Sequence, residues 1–240
     1  MLTASTPSMP IKTVIFDGDD TLWHHENFFN GARDRFHELM NSIGDYPQAG
    51  EQVDADHIVD LKLWGYGVKG FTLTMVQTAI KLTGGKITSE QIQKILDIGK
   101  ETYLHPITLL PYVRETLAAL HGKYFILLVT KGDLLAQEMK FDQSGLAPFF
   151  DGIEIVTEKD DKTYRRIYKR YQLEPKETIM IGNTLRSDVL PTVALGAHAV
   201  HIPYATSWHF ETPEVAQSDV GKFAVMPNME KLPELIAGIR

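Results

Sequence analysis

Five short apolar runs interrupt an otherwise mixed chain: KTVIF (12–16), YFILLV (124–129), GIEIV (152–156), TIMIG (178–182) and HAVHI (198–202). Each is rich in Val, Ile, Leu or Phe, and several are almost continuously apolar instead of alternating. Strands read this way when a parallel sheet is covered on both faces. Between the last four runs lie segments with helical spacing, among them DLLAQEMKFDQSG, KTYRRIYKRYQ and LRSDVLPTVALG. Alternation of strand and helix predicts an α/β fold with a doubly wound, mostly parallel sheet.

The interval between the first two runs breaks that rhythm. Residues 23–105 hold no convincing strand but several amphipathic helical stretches. ENFFNGARDRFHELMNSI sets Phe28, Phe29, Ala32, Phe36, Leu39 and Met40 near helical spacing. TLTMVQTAIKLTGG begins at a Thr and ends at paired glycines, and TSEQIQKILDIGKETY starts on a Ser or Thr cap. A βα crossover needs only about a dozen residues, so this interval reads as an inserted all-helical unit. The expected organisation is a sheet domain over 1–22 and 106–240, interrupted by a helical domain over 23–105. Within the insert, Gly65, Gly67 and Gly70 of WGYGVKGF match G-x-G-x-x-G, with Glu90 downstream. The stretch before them, DADHIVDLKLW, is charged and helical in pattern, whereas a dinucleotide loop needs a buried strand there. A turn between helices is the expectation.

Composition narrows the chemistry. A chain of 240 residues, 43% of them apolar, can bury a sizeable core. A formal charge of -7 offers no long-range attraction to nucleic acid or anionic lipid, so neither is an expected partner. Cys is absent, which excludes disulfides, thiolate nucleophiles and cysteine-held zinc. The opening MLTASTPSMPIK does not read as a signal peptide, and YFILLV is too short to cross a bilayer. The expectation is a soluble cytoplasmic protein.

The first apolar run ends in an electrostatic puzzle. VIFDGDDTLW (14–23) sets Asp17, Asp19 and Asp20 at the mouth of a strand, where like charges repel and one turn residue would suffice. In doubly wound sheets, sites form at the carboxyl ends of strands. The other runs deliver Thr130 in LLVTKGD, Lys159 and Lys162 in TEKDDKTYRRIY, and Gly182, Asn183 and Asp188 in MIGNTLRSD. The carboxylates could hold a divalent cation, which inverts the local electrostatics and lets an anionic phosphate approach.

These four signals, in this order and at strand ends, resemble the haloacid dehalogenase superfamily and specifically its phosphatase branch. That family carries D-x-D-x-T, here Asp17, Asp19 and Thr21; a Ser or Thr ending an apolar strand, here Thr130; a Lys before a helix; and G-D followed by a further Asp, here Gly182, Asn183 and Asp188. The resemblance implies a Rossmann-like core with an inserted helical cap of the C1 type. It also implies a magnesium-dependent phosphatase acting on a small phosphorylated molecule through a phosphoaspartate. Asp17 would be the nucleophile, and Asp19 would be the acid and then the base. Magnesium would sit among Asp17, the Asp19 carbonyl and Asp188. Thr130 and Lys162 would hold phosphate oxygens. Lys162 is favoured over Lys159 by its distance from a helix expected to begin at Thr163. Asn183 departs from the usual Asp; its amide can still coordinate magnesium or orient its water, but one negative charge is missing.

Plainer readings compete. Asp20 is expected to be a solvated or capping carboxylate. His24 and His25, being adjacent, do not share a helix face and so do not form a metal pair. Trp208 and His209 are expected to pack a loop near the site. Among functions, a dehalogenase would not need Asp19, because halide leaves without a proton. A phosphomutase would use the same residues as a phosphatase. A phospho-receiver module would be about half this length, and a binding or scaffold protein that has lost catalysis is less easily dismissed because of Asn183.

Overall fold

The computed structural model describes residues 10–206 and 221–239. Among them, β1 (Thr13–Phe16), β2 (Phe125–Lys131), β3 (Gly152–Val156), β4 (Thr178–Gly182), β5 (His198–His201) and β6 (Ala224–Val225) form one sheet in the order β3-β2-β1-β4-β5-β6. Every pairing is parallel. The five apolar runs correspond to β1–β5; the two-residue β6 had no sequence signal of its own. The helices are α1 (Glu26–Ile43), α2 (Ala49–Trp64), α3 (Val68–Leu82), α4 (Ser89–Tyr103), α5 (Val113–Leu120), α6 (Leu134–Ser144), α7 (Asp161–Tyr171), α8 (Leu190–Ala194) and α9 (Leu232–Gly238).

The described residues divide into two compact units. One lies within Met1–His24, Ile107–Lys131 and Lys140–Arg240; the other comprises His25–Pro106 with Gly132–Met139. In the first unit, residues alternating along β1 feed opposite faces of the sheet. Val14 and Phe16 join Leu117 and Leu120 of α5 and Leu232 and Ile236 of α9 on one side. Ile15 joins Tyr164, Ile167 and Tyr168 of α7 on the other. Both faces are covered, which is why these strands read as unbroken apolar runs.

The second unit has its own core. Phe29, Ala32, Phe36 and Met40 of α1 meet Phe71, Met75 and Ala79 of α3 and Ile95 and Ile98 of α4. The spacing along each helix keeps these side chains on one stripe. Thr88 begins α4 with a reciprocal cap: its hydroxyl accepts the Gln91 amide at 3.2 Å, and the Gln91 side chain accepts the Thr88 amide at 2.9 Å. WGYGVKGF is the turn between α2 and α3, with Gly65 and Gly67 at φ of 71° and 114°. A helix precedes it and Gly70 lies inside α3, so the geometry of a dinucleotide loop is absent. Among the described residues no helix is long and apolar enough to cross a membrane.

Candidate active site

β1 lies between β2 and β4, and Phe16 is level with both Leu128 and Ile181. The strand order reverses here, which opens a crevice at the carboxyl ends. Asp17 emerges beside Phe16, its amide donating to the Ile181 carbonyl at 3.0 Å. A tight turn follows. The Gly18 carbonyl accepts the amides of Thr21 at 3.2 Å and Leu22 at 2.7 Å, and the Asp20 amide donates to the Trp23 carbonyl at 2.7 Å. A side chain at Gly18 would meet the Trp23 ring at 2.9 Å and the Thr130 hydroxyl at 3.3 Å, so only glycine fits the turn. Asp20 takes a left-handed φ of 60°, which Asp tolerates better than most residues. It is buried, so of the two expectations, a solvated or a capping carboxylate, the solvated one does not hold.

Three charges meet at the strand ends. The Lys159 ammonium donates to Asp17 Oδ1 and, at 2.8 Å, to Asp188 Oδ1. All three side chains are less than a tenth exposed. Asp17 Oδ2 accepts the Thr21 hydroxyl at 2.9 Å. Asp188 Oδ2 accepts the amide and hydroxyl of Thr184 at 3.0 and 2.8 Å. Asp188 lies on a single π-helical turn, Leu185–Val189, braced by Tyr164, whose hydroxyl donates to the Ser187 carbonyl at 3.0 Å. A Cβ at Gly182 would fall 2.4 Å from the Asp188 carboxylate, so β4 must end in glycine for that carboxylate to approach.

Of the two lysines, Lys159 is the one that meets Asp17 and Asp188. α7 begins at Asp161, with Asp160 as its cap accepting the Thr163 amide at 2.8 Å. The helix therefore starts two residues earlier than expected, and Lys159 immediately precedes the cap. Lys162 lies in the first turn and is exposed. Asp160 and Asp161 were the missed signal, since Asp caps helices at least as well as Thr.

Two carboxylates and one ammonium leave the buried cluster with an excess negative charge. Burial is the largest influence on Asp17 and pushes its carboxyl up; Lys159 opposes this, Asp188 and Asp19 add to it, and the outcome is about 7. Burial disfavours the Lys159 ammonium, but its two carboxylate partners outweigh that and hold it above the ordinary lysine range. Among the described residues no three His, Asp or Glu side chains gather as a metal site. Magnesium commonly takes only one or two carboxylates, with other oxygens and water completing its shell. The excess charge and the hard oxygens of Asp17, Asp188 and Asn183 fit such an ion.

Thr130, at the end of β2, is buried, and its hydroxyl has no hydrogen-bond partner among the described residues. A buried hydroxyl left unmet costs about 1–3 kcal/mol, so this group stands ready for a ligand atom. Asn183 is also buried, its carbonyl 2.9 Å from His201 Nε2 and its side chain 3.3 Å from the Thr21 hydroxyl. A hydroxyl has one proton, and the closer, charged Asp17 takes it. The Thr21 hydroxyl thus lies between the Asp17 carboxylate at 2.9 Å and Asn183 Oδ1 at 3.3 Å, Asp17 being the closer acceptor.

Asp19 has its own partners. Its Oδ1 accepts the Trp23 indole N–H at 2.7 Å, and Lys140 of α6 reaches Oδ1 and Oδ2 at 2.8 and 2.9 Å. Neither Trp23 nor Lys140 carried a local signal for this role. His24 contacts Tyr204 at 2.6 Å and His25 packs on Phe29, so the adjacent histidines have separate partners. Trp208 and His209 lie outside the described residues.

A family model described as haloacid dehalogenase-like hydrolase matches residues 11–196. A haloacid dehalogenase-like family hydrolase from Xanthomonas campestris, known as a crystal structure, is 36% identical, with 96% of each chain covered and a TM-score of 0.84. The glyceraldehyde 3-phosphate phosphatase of Methanocaldococcus jannaschii is 28% identical over 211 residues, 80% of this chain and 85% of that one. A pyrimidine 5′-nucleotidase of Escherichia coli is 25% identical over 218 residues, 84% and 88% of the two chains. The matched span runs from before Asp17 to beyond Asp188 and so takes in every strand end that builds the crevice: the chain belongs to the haloacid dehalogenase-like hydrolases.

Proposed function

We propose that the protein is a magnesium-dependent phosphatase that hydrolyses small organic phosphate monoesters through a phosphoaspartate on Asp17. The observation that carries the reading is the buried Asp17–Lys159–Asp188 cluster next to the unpartnered Thr130 hydroxyl. Buried charge of this kind seldom improves stability, but it suits attack on a phosphoryl group. The names of two relatives, a glyceraldehyde 3-phosphate phosphatase and a pyrimidine 5′-nucleotidase, support phosphate esters as the substrate class.

In the first step an Asp17 oxygen bonds to phosphorus as the bond from phosphorus to the alcohol oxygen breaks, and Asp19 gives that oxygen its proton. In the second, Asp19 takes a proton from water as the water oxygen bonds to phosphorus, and the bond to Asp17 breaks to release inorganic phosphate. Lys159 and Thr130 hold the phosphoryl oxygens, the role first assigned to Lys162 passing to Lys159. Asp17, Asp188 and the Asp19 carbonyl are the residues that would hold magnesium, with Asn183 beside them. When bound, the ion supplies positive charge against the phosphate and the crowded carboxylates. Asp19 argues against a dehalogenase, since a departing halide needs no proton.

The test is a panel of phosphorylated metabolites with and without magnesium, combined with trapping of the adduct by acid quench. Asp17→Asn should reduce turnover to background while leaving the fold intact, because an amide cannot form the phosphoaspartate. Asp188→Ala should be far more damaging than Asn183→Asp. Full activity in excess chelator would remove the metal role. An adduct mapped to Asp20 or Asp188 would overturn the assignment of the nucleophile, and phosphate returning to substrate instead of water would make the enzyme a mutase.

A further inference from the structure

The two functional carboxylates of one short turn each have their own ammonium: Asp17 has Lys159, and Asp19 has Lys140. The second pairing is not explained by the turn's own stability. The turn is already closed by the Gly18 carbonyl, which collects the Thr21 and Leu22 amides, and by the Asp20 amide bonded to the Trp23 carbonyl. The Asp19 side chain, in contrast, is held by groups from beyond the turn's backbone bonds, Trp23 and Lys140 among them. Trp23 supplies one fixed donor: it is fully buried, and its ring lies against Gly18 so closely that a methyl there would clash. Lys140 supplies another, contacting both carboxylate oxygens from α6. The Asp19 and Lys140 side chains are only 19% and 16% exposed, so water screens the pair less than it would a surface bridge.

We propose that Lys140, acting with the Trp23 indole, is a positioning residue that sets the direction of the Asp19 side chain for proton transfer. This role rests on the phosphatase reading above. Lys140 touches neither Asp17 nor phosphate in the proposed chemistry; it acts through Asp19. A misdirected proton donor harms poor leaving groups most, because they depend on the donated proton, whereas a stabilised phenolate departs without it.

The experiment compares wild type, Lys140→Met, Lys140→Arg and Trp23→Phe. Single-turnover transfer to the enzyme is followed with an alkyl phosphate and with nitrophenyl phosphate, alongside crystal structures of wild type and Lys140→Met. Lys140→Met keeps the chain length but removes the charge. It should slow transfer from the alkyl ester by about tenfold or more, a part of the 10²–10⁴ that general acid catalysis typically supplies, with a much smaller loss for nitrophenyl phosphate. KM should change little. Lys140→Arg should restore most of the alkyl rate. Trp23→Phe, which keeps the ring and loses the N–H, should show the same selectivity to a lesser degree and serves if Lys140→Met does not fold. Equal losses for both esters, a rise in KM alone, or no change would overturn the proposal. Release of phosphate from neither ester by wild type would strike at the phosphatase reading itself. The crystal structures still decide the positioning claim in that case: Asp19 must turn in Lys140→Met, and an unmoved side chain overturns it.

Discussion

The sheet unit and the helical unit treat charge in opposite ways. In the sheet unit, Asp17, Lys159 and Asp188 are buried together at the strand ends. In the helical unit no ion pair among the described residues is buried as deeply: the side chains of Lys94 and Glu90 are 57% and 81% exposed, and those of Arg33 and Asp54 21% and 28%. Exposed ion pairs are worth about 0–1 kcal/mol. Buried pairs lose so much hydration that well-packed apolar residues often serve stability as well or better. The sheet unit thus holds an arrangement that folding alone does not call for, whereas the ion pairs of the helical unit keep some contact with water. Where burial of charge has no folding rationale, chemistry supplies one.

The sharpest way to break this contrast is Lys159→Met. Two buried carboxylates would then face each other without a cation, and unfolding free energy should fall by about 3–5 kcal/mol, with turnover lost. Lys162→Met, three residues on and exposed, should stay within about 0.5 kcal/mol and keep its activity. Denaturant midpoints and phosphate release measure both. Similar effects at the two positions would erase the distinction between the lysines.

A smaller effect follows from the burial of Asp17, to which the neighbouring carboxylates add. The folded value for Asp17, about 7, lies above that of an unfolded aspartate, about 3.9, so protonation of Asp17 favours the folded state. Its carboxylate carries no cost at low pH; the cost grows between about pH 4 and pH 7 and is constant above. Without metal, wild type should therefore lose stability relative to Asp17→Asn across that window, by a few kcal/mol at most. Unfolding curves for both proteins at several pH values test this, and parallel pH profiles would contradict the upward shift. The smallest effect belongs to the helical unit. Lys94→Ala should change unfolding free energy by less than about 1 kcal/mol, at any salt concentration.

The parts legible in the sequence were those marked by neighbours along the chain. β1–β5 were readable because strands buried on both faces cannot afford polar alternation, and α1, α3 and α4 were readable from their stripes. Asp17, Thr130 and Asp188 were readable because each follows such a strand closely. Lys159 was legible as a candidate but ranked below Lys162 through a two-residue error in the start of α7, where two adjacent Asp residues compete with Thr163 at the head of the helix. Asp20 was misread because turn residues are usually solvated, and nothing local says that a left-handed residue will be folded inward. Lys140 was not legible at all. It lies 121 residues from Asp19, on a helix face whose charge pattern looks like any solvated surface.

The unmet hydroxyl of Thr130 leaves the crevice frustrated at one of its own atoms. An anion that accepts from it relieves a penalty that folding alone leaves in place, so occupancy and global stability are coupled. A ligand at 100 times its Kd adds about 2.7 kcal/mol to the folded state, enough to read as a rise in melting temperature. Phosphate mimics such as vanadate or tungstate should therefore reveal themselves by heat alone, with no turnover required. Thr130→Val, equal in shape but without the hydroxyl, should melt higher unliganded and gain less from the same anions. One orphaned oxygen thus turns a thermal melt into a census of what the crevice accepts.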